Sequence, residues 1–255
     1  MDYRNGTPQP SAPVANLALR RPALPLEVRW HSTRRPLPTH WVVPEGRRAP
    51  AHPTGDAPLD FCSQMRRLCH DIAAHCEALR HVYMPQVLLA FTPSRNRSRF
   101  GLQARVTPLR FREGGLVRRY SAVEYQVQRF FVDDVEMLYI LAFCLPRFFD
   151  QTFEEKLSTV FHELFHMSPA FDGDLRRHKG RYAMHSHSKA RYEAQMGAMA
   201  NDYLAHHDRP EVLDFLRFDY RMLWERHGGI HGVIVPRPKL LPVGWATRQA
   251  AKGVY

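Results

Sequence analysis

The chain is poor in the residues that would mark a secreted or membrane protein. It has four cysteines in 255 residues, Cys62, Cys69, Cys76 and Cys144. A small disulfide scaffold needs more, at denser spacing, so that class is excluded. No apolar run approaches the roughly 18 residues that cross a bilayer. The opening stretch "MDYRNGTPQP" lacks the apolar centre of a signal peptide. The expectation is therefore a cytoplasmic protein with no membrane partner. No internal repeat is present. Acidic residues are also in short supply, with 25 Asp and Glu against 36 Lys and Arg, a formal charge of +11. Such a balance suits contact with polyanions or acidic proteins and does not specify a fold.

Three cysteines stand at seven-residue steps, and "CH" at 69–70 and "HC" at 75–76 invite a second metal site. Residues seven apart on a helix are separated by about 10 Å. Two thiolates at that distance cannot share one zinc with bonds of about 2.3 Å. Small side chains along a core stripe are the simpler reading.

What the chain does have is unevenly distributed. Residues 1–57 hold ten of the twenty prolines and many arginines, with no sustained apolar period. They are expected to form an extended or disordered tail, although Trp30 and Trp41 are unusual in one. Residues 58–230 carry the periodic segments of a folded domain. Residues 231–255 form a second basic, proline-containing tail.

Within the domain, "LDFCSQMRRLCHDIAAHCEALRHVY" reads as an amphipathic helix with Phe61, Met65, Leu68, Cys69, Ile72, Cys76 and Leu79 on one face. Pro85 is its expected end. "QVLLAF" is a short strand. Phe100, Leu102, Ala104 and Val106 alternate as in a half-buried strand, and so do Val123, Tyr125 and Val127. Glycines 114 and 115 signal a turn. "VEMLYILAFCL" is apolar throughout, as a central strand should be, and Pro146 closes it. Helices follow over Phe153–His166, Lys189–His206 and "EVLDFLRFDYRMLW". This order predicts an α+β domain, a mostly antiparallel sheet packed with helices.

The chemistry concentrates in "QTFEEKLSTVFHELFHMSPAFDGDLRRH". Thr152 and Glu155 form a T-x-x-E capping box. Phe153, Leu157, Val160, Phe161 and Leu164 make an apolar stripe. His162 and His166 lie one turn apart, so both imidazoles leave one edge of the helix, as two nitrogens on one zinc require. Glu163 lies beside them, placed to take a proton from a zinc-activated water. Fifteen histidines make a chance H-E-x-x-H easier than usual. Chance does not supply the capped helix, the Ser168-Pro169 stop or the histidines downstream.

A catalytic zinc takes three protein ligands. His185, His187, Glu193 and His178 are the candidates for the third, in that order. His185 and His187 precede the next helix, and spacing does not separate them. Asp172 and Asp174 flank Gly173 as a turn-forming motif, or as carboxylates that orient a ligand histidine. Tyr182 and Tyr192 are either packed aromatics or donors to a developing oxyanion. Arg95, Arg97, Arg99, Arg105, Arg110, Arg112, Arg118 and Arg119 crowd the strand region. They are either a solvated sheet face or a grip on nucleic-acid phosphates.

"PLRF", "EMLYILAFCLPRFF", "EKLSTVFHELFHMSPAFDGDLRRHKGRY" and "HSHSKARYEAQM" together resemble a metallopeptidase family of bacteria and phages, similar to the SprT-like minimal proteases. The resemblance spans residues 60–206 and is most specific in the F-H-E-L-x-H-x-S-P-x-F-D-G-D-L-R-R block. It implies a compact zincin-like fold holding Zn2+ and a protein or peptide substrate. The implied metal positions are His162, His166 and a histidine of the His185–His187 segment, with Glu163 as the catalytic glutamate. The terminal tails lie outside it.

Overall fold

The computed structural model describes residues 58–94, 101–177, 189–207 and 209–245. The expected N-terminal tail falls outside these ranges. So do Trp30, Trp41, Arg95, Arg97, Arg99, His178, Tyr182, His185 and His187. In chain order the elements begin with β1 (Leu59–Asp60), α1 (Phe61–His75), β2 (Val87–Pro93), β3 (Ala104–Pro108), β4 (Val117–Tyr120) and β5 (Val123–Val127). They continue with β6 (Phe130–Val132), β7 (Val135–Met137), β8 (Tyr139–Leu145), α2 (Phe153–Phe165) and α3 (Lys189–His207). The last are α4 (Pro210–Arg217), α5 (Tyr220–His227), β9 (Ile230–His231) and β10 (Leu240–Trp245). The architecture is mixed α+β. Among the described residues no helix is long and apolar enough to cross a membrane.

The central sheet has β8 in the middle, parallel to β2 and antiparallel to β3. Both of its faces are covered, which is why β2 and β8 read as continuous apolar runs. Val87, Leu89 and Phe91 of β2, with Tyr139, Leu141 and Phe143 of β8, face the large core shared with the helices. Leu88, Ala90 and Ile140 face a smaller core with Leu109, Phe130 and Met137. The pleat thus divides one apolar sequence between two cores. Phe61 of α1 anchors the larger one, with ring contacts to Phe91, Phe143, Phe148 and Phe149.

Several expected segments are subdivided. The first helix ends at His75 rather than near Pro85, because Cys76 turns to extended backbone. The Cys76 carbonyl accepts the Leu79 N–H at 2.9 Å and opens a short 3-10 turn, while its side chain, partly buried, still packs against the large core. Burial of the sulfur raises its pKa. "FFVDDVEM" is a β-hairpin. Asp133 and Asp134 both take positive φ, 48° and 65°, at the centre of its two-residue loop. A type I′ turn needs this, and Asp adopts it at lower cost than most residues.

Two further corrections concern the outer strands. β4, β5 and β10 form a separate antiparallel sheet. In β5, Gln126 is buried while Val123, Tyr125 and Val127 are half-exposed, the reverse of the simple alternation. Likewise Leu102 is half-exposed, and β3 begins only at Ala104. β10 lies beyond residue 230, in the stretch expected to be a tail. Its backbone pairs with β5 from Leu240 to Trp245, so the ladder supplies order that composition did not.

Candidate metal centre

Helix α2 forms for the local reasons visible in its sequence. The Thr152 hydroxyl accepts the Glu155 N–H at 3.2 Å, and the Glu155 carboxylate accepts the Thr152 N–H at 2.8 Å. Leu157, Val160, Phe161 and Leu164 are fully buried against the large core. The helix stops at Phe165, with His166 as its C-cap. Lys156 ties the helix to its neighbours, its ammonium donating to the carbonyls of Leu216 and Phe218.

The two histidines converge. Their Nε2 atoms lie 2.8 Å apart, with ring planes at 84°. Two nitrogens on one tetrahedral zinc stand about 3.3 Å apart at bond lengths of about 2.0–2.1 Å. The 2.8 Å contact is a hydrogen bond between the two rings, about half an ångström closer than zinc would hold them. Imidazole nitrogens are of the type zinc takes, so the pair would supply two of the three protein donors such a site needs.

Glu163 is buried on the same helix. Its Oε2 accepts the backbone N–H of Val106 on edge strand β3 at 2.7 Å. Burial pushes its carboxyl up to about 7, against the Val106 hydrogen bond and the charge of Arg105. A carboxyl in that range exchanges a proton near neutrality, as a general base must. Val106 escaped the sequence reading because its contribution is a backbone amide, which leaves no residue-type signal.

The loop after α2 folds back over the helix end. Arg176 N–H donates to the His166 carbonyl at 2.7 Å, and Ser168 N–H to the Asp174 carbonyl at 3.1 Å. The Arg176 side chain donates to the Phe165 carbonyl, and its guanidinium stands 3.9 Å over the Phe165 ring. It thus caps two orphan carbonyls and places a cation at the negative end of the helix dipole.

Asp172 and Asp174 build the turn. Asp172 accepts the Asp174 N–H at 3.1 Å, an Asx turn. Asp174 accepts the N–H groups of Glu113 and Leu175 and pairs bidentately with Arg177. Gly173 has φ of 87°, and a Cβ there would lie 2.5 Å from Arg110 Cγ. The Tyr139 hydroxyl, from β8, accepts the Gly173 N–H and donates to the Asp174 carbonyl. The distinctive D-G-D segment is thus a splint between sheet and helix end.

Tyr192, the first described side chain of α3, packs against both histidines. Glu193 beside it is exposed. Among the described residues no three His, Cys, Asp or Glu side chains form a group that could hold a metal. Glu193 is not grouped with the histidine pair there, and the other candidates, His178, His185 and His187, lie outside the described residues. The "HC" at 75–76 makes no metal site either. The His75 ring lies 4.2 Å from that of His207, beside a cavity of about 270 Å3 also lined by Cys76, Asp202 and His206.

Of the arginines in the strand region, Arg110 is buried and paired with Glu136 at 2.7 Å. The same carboxylate accepts from buried Arg129. Arg110 is thus structural and not available to phosphates. Arg105, Arg112, Arg118 and Arg119 are exposed. Comparison with known protein families, curated proteins and solved structures finds no match to this chain.

Proposed function

We propose that this chain is a zinc-dependent metallopeptidase acting on a protein or peptide substrate. The observation that carries the reading is the convergence of the His162 and His166 Nε2 atoms on a capped helix, one residue from the buried carboxyl of Glu163. In this reading His162 and His166 are two metal donors, and His185 or His187 is the third. Bound zinc supplies the Lewis acidity that activates water toward a peptide carbonyl. Glu163 takes the proton released and returns it to the leaving amine. The Val106 amide holds that carboxylate in place, so the base is oriented before substrate arrives. The zincin-like fold is part of the same proposal.

Metal analysis of the purified protein tests it. About one zinc per chain is expected, and His166→Ala should lose it. Glu163→Gln should keep the metal and lose hydrolysis of unfolded protein substrates. Absence of zinc under non-chelating conditions overturns the reading.

A second reading, a basic nucleic-acid-associated protein with an inactive site, draws on the β4–β5–β10 sheet. There Arg118 lies 4.9 Å over the exposed ring of Tyr120, which also contacts Tyr125. Arginine beside exposed aromatics is the chemistry of single-strand binding. Any such binding should weaken steeply with salt, and a flat response excludes phosphate neutralisation.

A further inference from the structure

We infer that Tyr192 is a positioning residue whose ring, and not its hydroxyl, sets the planes of the two imidazoles so that their Nε2 atoms meet. This inference rests on the metal reading above. The last torsion of an imidazole is broad and roughly two-fold, with no sharp staggered minima. Two histidines one turn apart on a helix therefore share an edge without sharing a target. Their nitrogens meet only for some combinations of ring orientations, and their mutual hydrogen bond does not by itself fix the ring planes.

The Tyr192 ring touches both partners of that combination. It stacks on His166, at 22° and 5.9 Å between centroids. It meets His162 edge to face, at 85° and 5.0 Å. A flat group can be nearly parallel to one ring and perpendicular to another only if those rings are themselves nearly perpendicular. The angle between His162 and His166 is 84°. One aromatic plane thus packs against both imidazoles in the orientations they hold.

Tyr192 is itself held. It is only 2% exposed. Its ring meets Phe165 edge to face at 5.9 Å, and Phe165 carries the Arg176 guanidinium on its own face. The order Arg176, Phe165, Tyr192, histidine pair joins the loop after α2, the end of α2 and the start of α3 into one stack. Hydrogen-bonding partners that orient metal ligands typically cost about 10–100-fold in metal affinity when lost, and a packed ring that fixes the same orientation should act on the same scale.

The test is zinc affinity, measured on the full chain by competition with a chromophoric chelator, with the visible spectrum of the cobalt(II)-loaded protein. Tyr192→Phe keeps the ring and should stay within about twofold of wild type, with an unchanged cobalt spectrum. Tyr192→Leu should weaken zinc binding about 10–100-fold and shift the cobalt bands. Met196→Ala, a buried change on the same helix, should cost stability and leave both readouts unmoved. If the leucine variant does not fold, Tyr192→Met takes its place with the same expectations.

Wild-type affinity in Tyr192→Leu overturns the inference. Equal losses in Tyr192→Phe and Tyr192→Leu also overturn it, because the hydroxyl would then be the working group. If wild-type protein binds no zinc, the metal reading fails and this inference falls with it. If wild type binds zinc and His166→Ala abolishes binding, the metal reading stands whatever Tyr192 does.

Discussion

The Glu163 carboxylate and the Val106 backbone amide, 57 residues apart in sequence, form a buried hydrogen bond of 2.7 Å that ties α2 to edge strand β3. The bond fills the outward amide of an edge strand and fixes the carboxyl that the proposed chemistry uses. Glu163→Gln retains an acceptor for Val106 and removes the burden of a buried charge. Its melting temperature without metal should match or exceed that of wild type at neutral pH. Glu163→Leu leaves the amide unpaired and should cost about 1–3 kcal/mol in denaturant titration.

Gly173 should not tolerate a side chain. Its φ of 87° is strained for alanine, and Arg110 Cγ occupies the space at 2.5 Å. Gly173→Ala should destabilise the domain by more than about 1 kcal/mol. It should also weaken zinc binding, because the turn it disturbs holds the end of α2. Urea unfolding and metal titration on one preparation check both effects.

Lys156 should make stability rise with alkaline pH. Burial lowers its pKa from 10.5 to about 8, against the attraction of Asp219 and Asp150. Below about pH 8 both states carry the proton, and the penalty of the buried charge is constant. Between about pH 8 and 10.5 the unfolded chain binds more protons than the native one, so stability gains with pH. Lys156→Met removes this contribution. Wild-type minus variant stability, from denaturant midpoints, should grow across that window by at most about 3 kcal/mol. A flat difference would show that the amine keeps its ordinary affinity.

Glu136 holds two buried arginines, Arg110 and Arg129. These bonds keep its carboxyl below the usual range although burial alone would raise it. Glu136→Ala strands both guanidiniums and should cost about 3–5 kcal/mol. Breaking the exposed Arg112–Glu113 pair should leave the unfolding midpoint essentially unchanged. Urea titrations of the two variants compare them directly.

Helix α2 was legible because its signals are local. The capping box at Thr152, the apolar stripe and the stop after His166 all lie within one short segment, and each appears in the structure. The Asp172–Gly173–Asp174 turn was legible for the same reason. Elsewhere the deciding partner lies far along the chain. Arg110 reads as one more strand arginine until Glu136 is beside it. β10 reads as tail until β5 offers a ladder. The Asp133–Asp134 loop was missed because two adjacent acids suggest an exposed strand end more readily than a type I′ turn. The third donor was narrowed by sequence to His185, His187, Glu193 and His178, of which only Glu193 is among the described residues, where it is exposed.

The bonds from Tyr139 to Gly173 and Asp174 have a consequence for cooperativity. They join the first residue of the central strand to the loop that closes the histidine helix. Such a loop cannot open as an independent unit, so the Gly173 amide should exchange its proton only when the sheet itself comes apart. By mass action, an ion held at His162 and His166 at 100 times its dissociation constant would then stabilise the whole domain by about 2.7 kcal/mol. The same coupling runs in reverse, so sheet damage severe enough to unfold a substantial fraction of the chain should lower the apparent metal affinity, and milder damage should not.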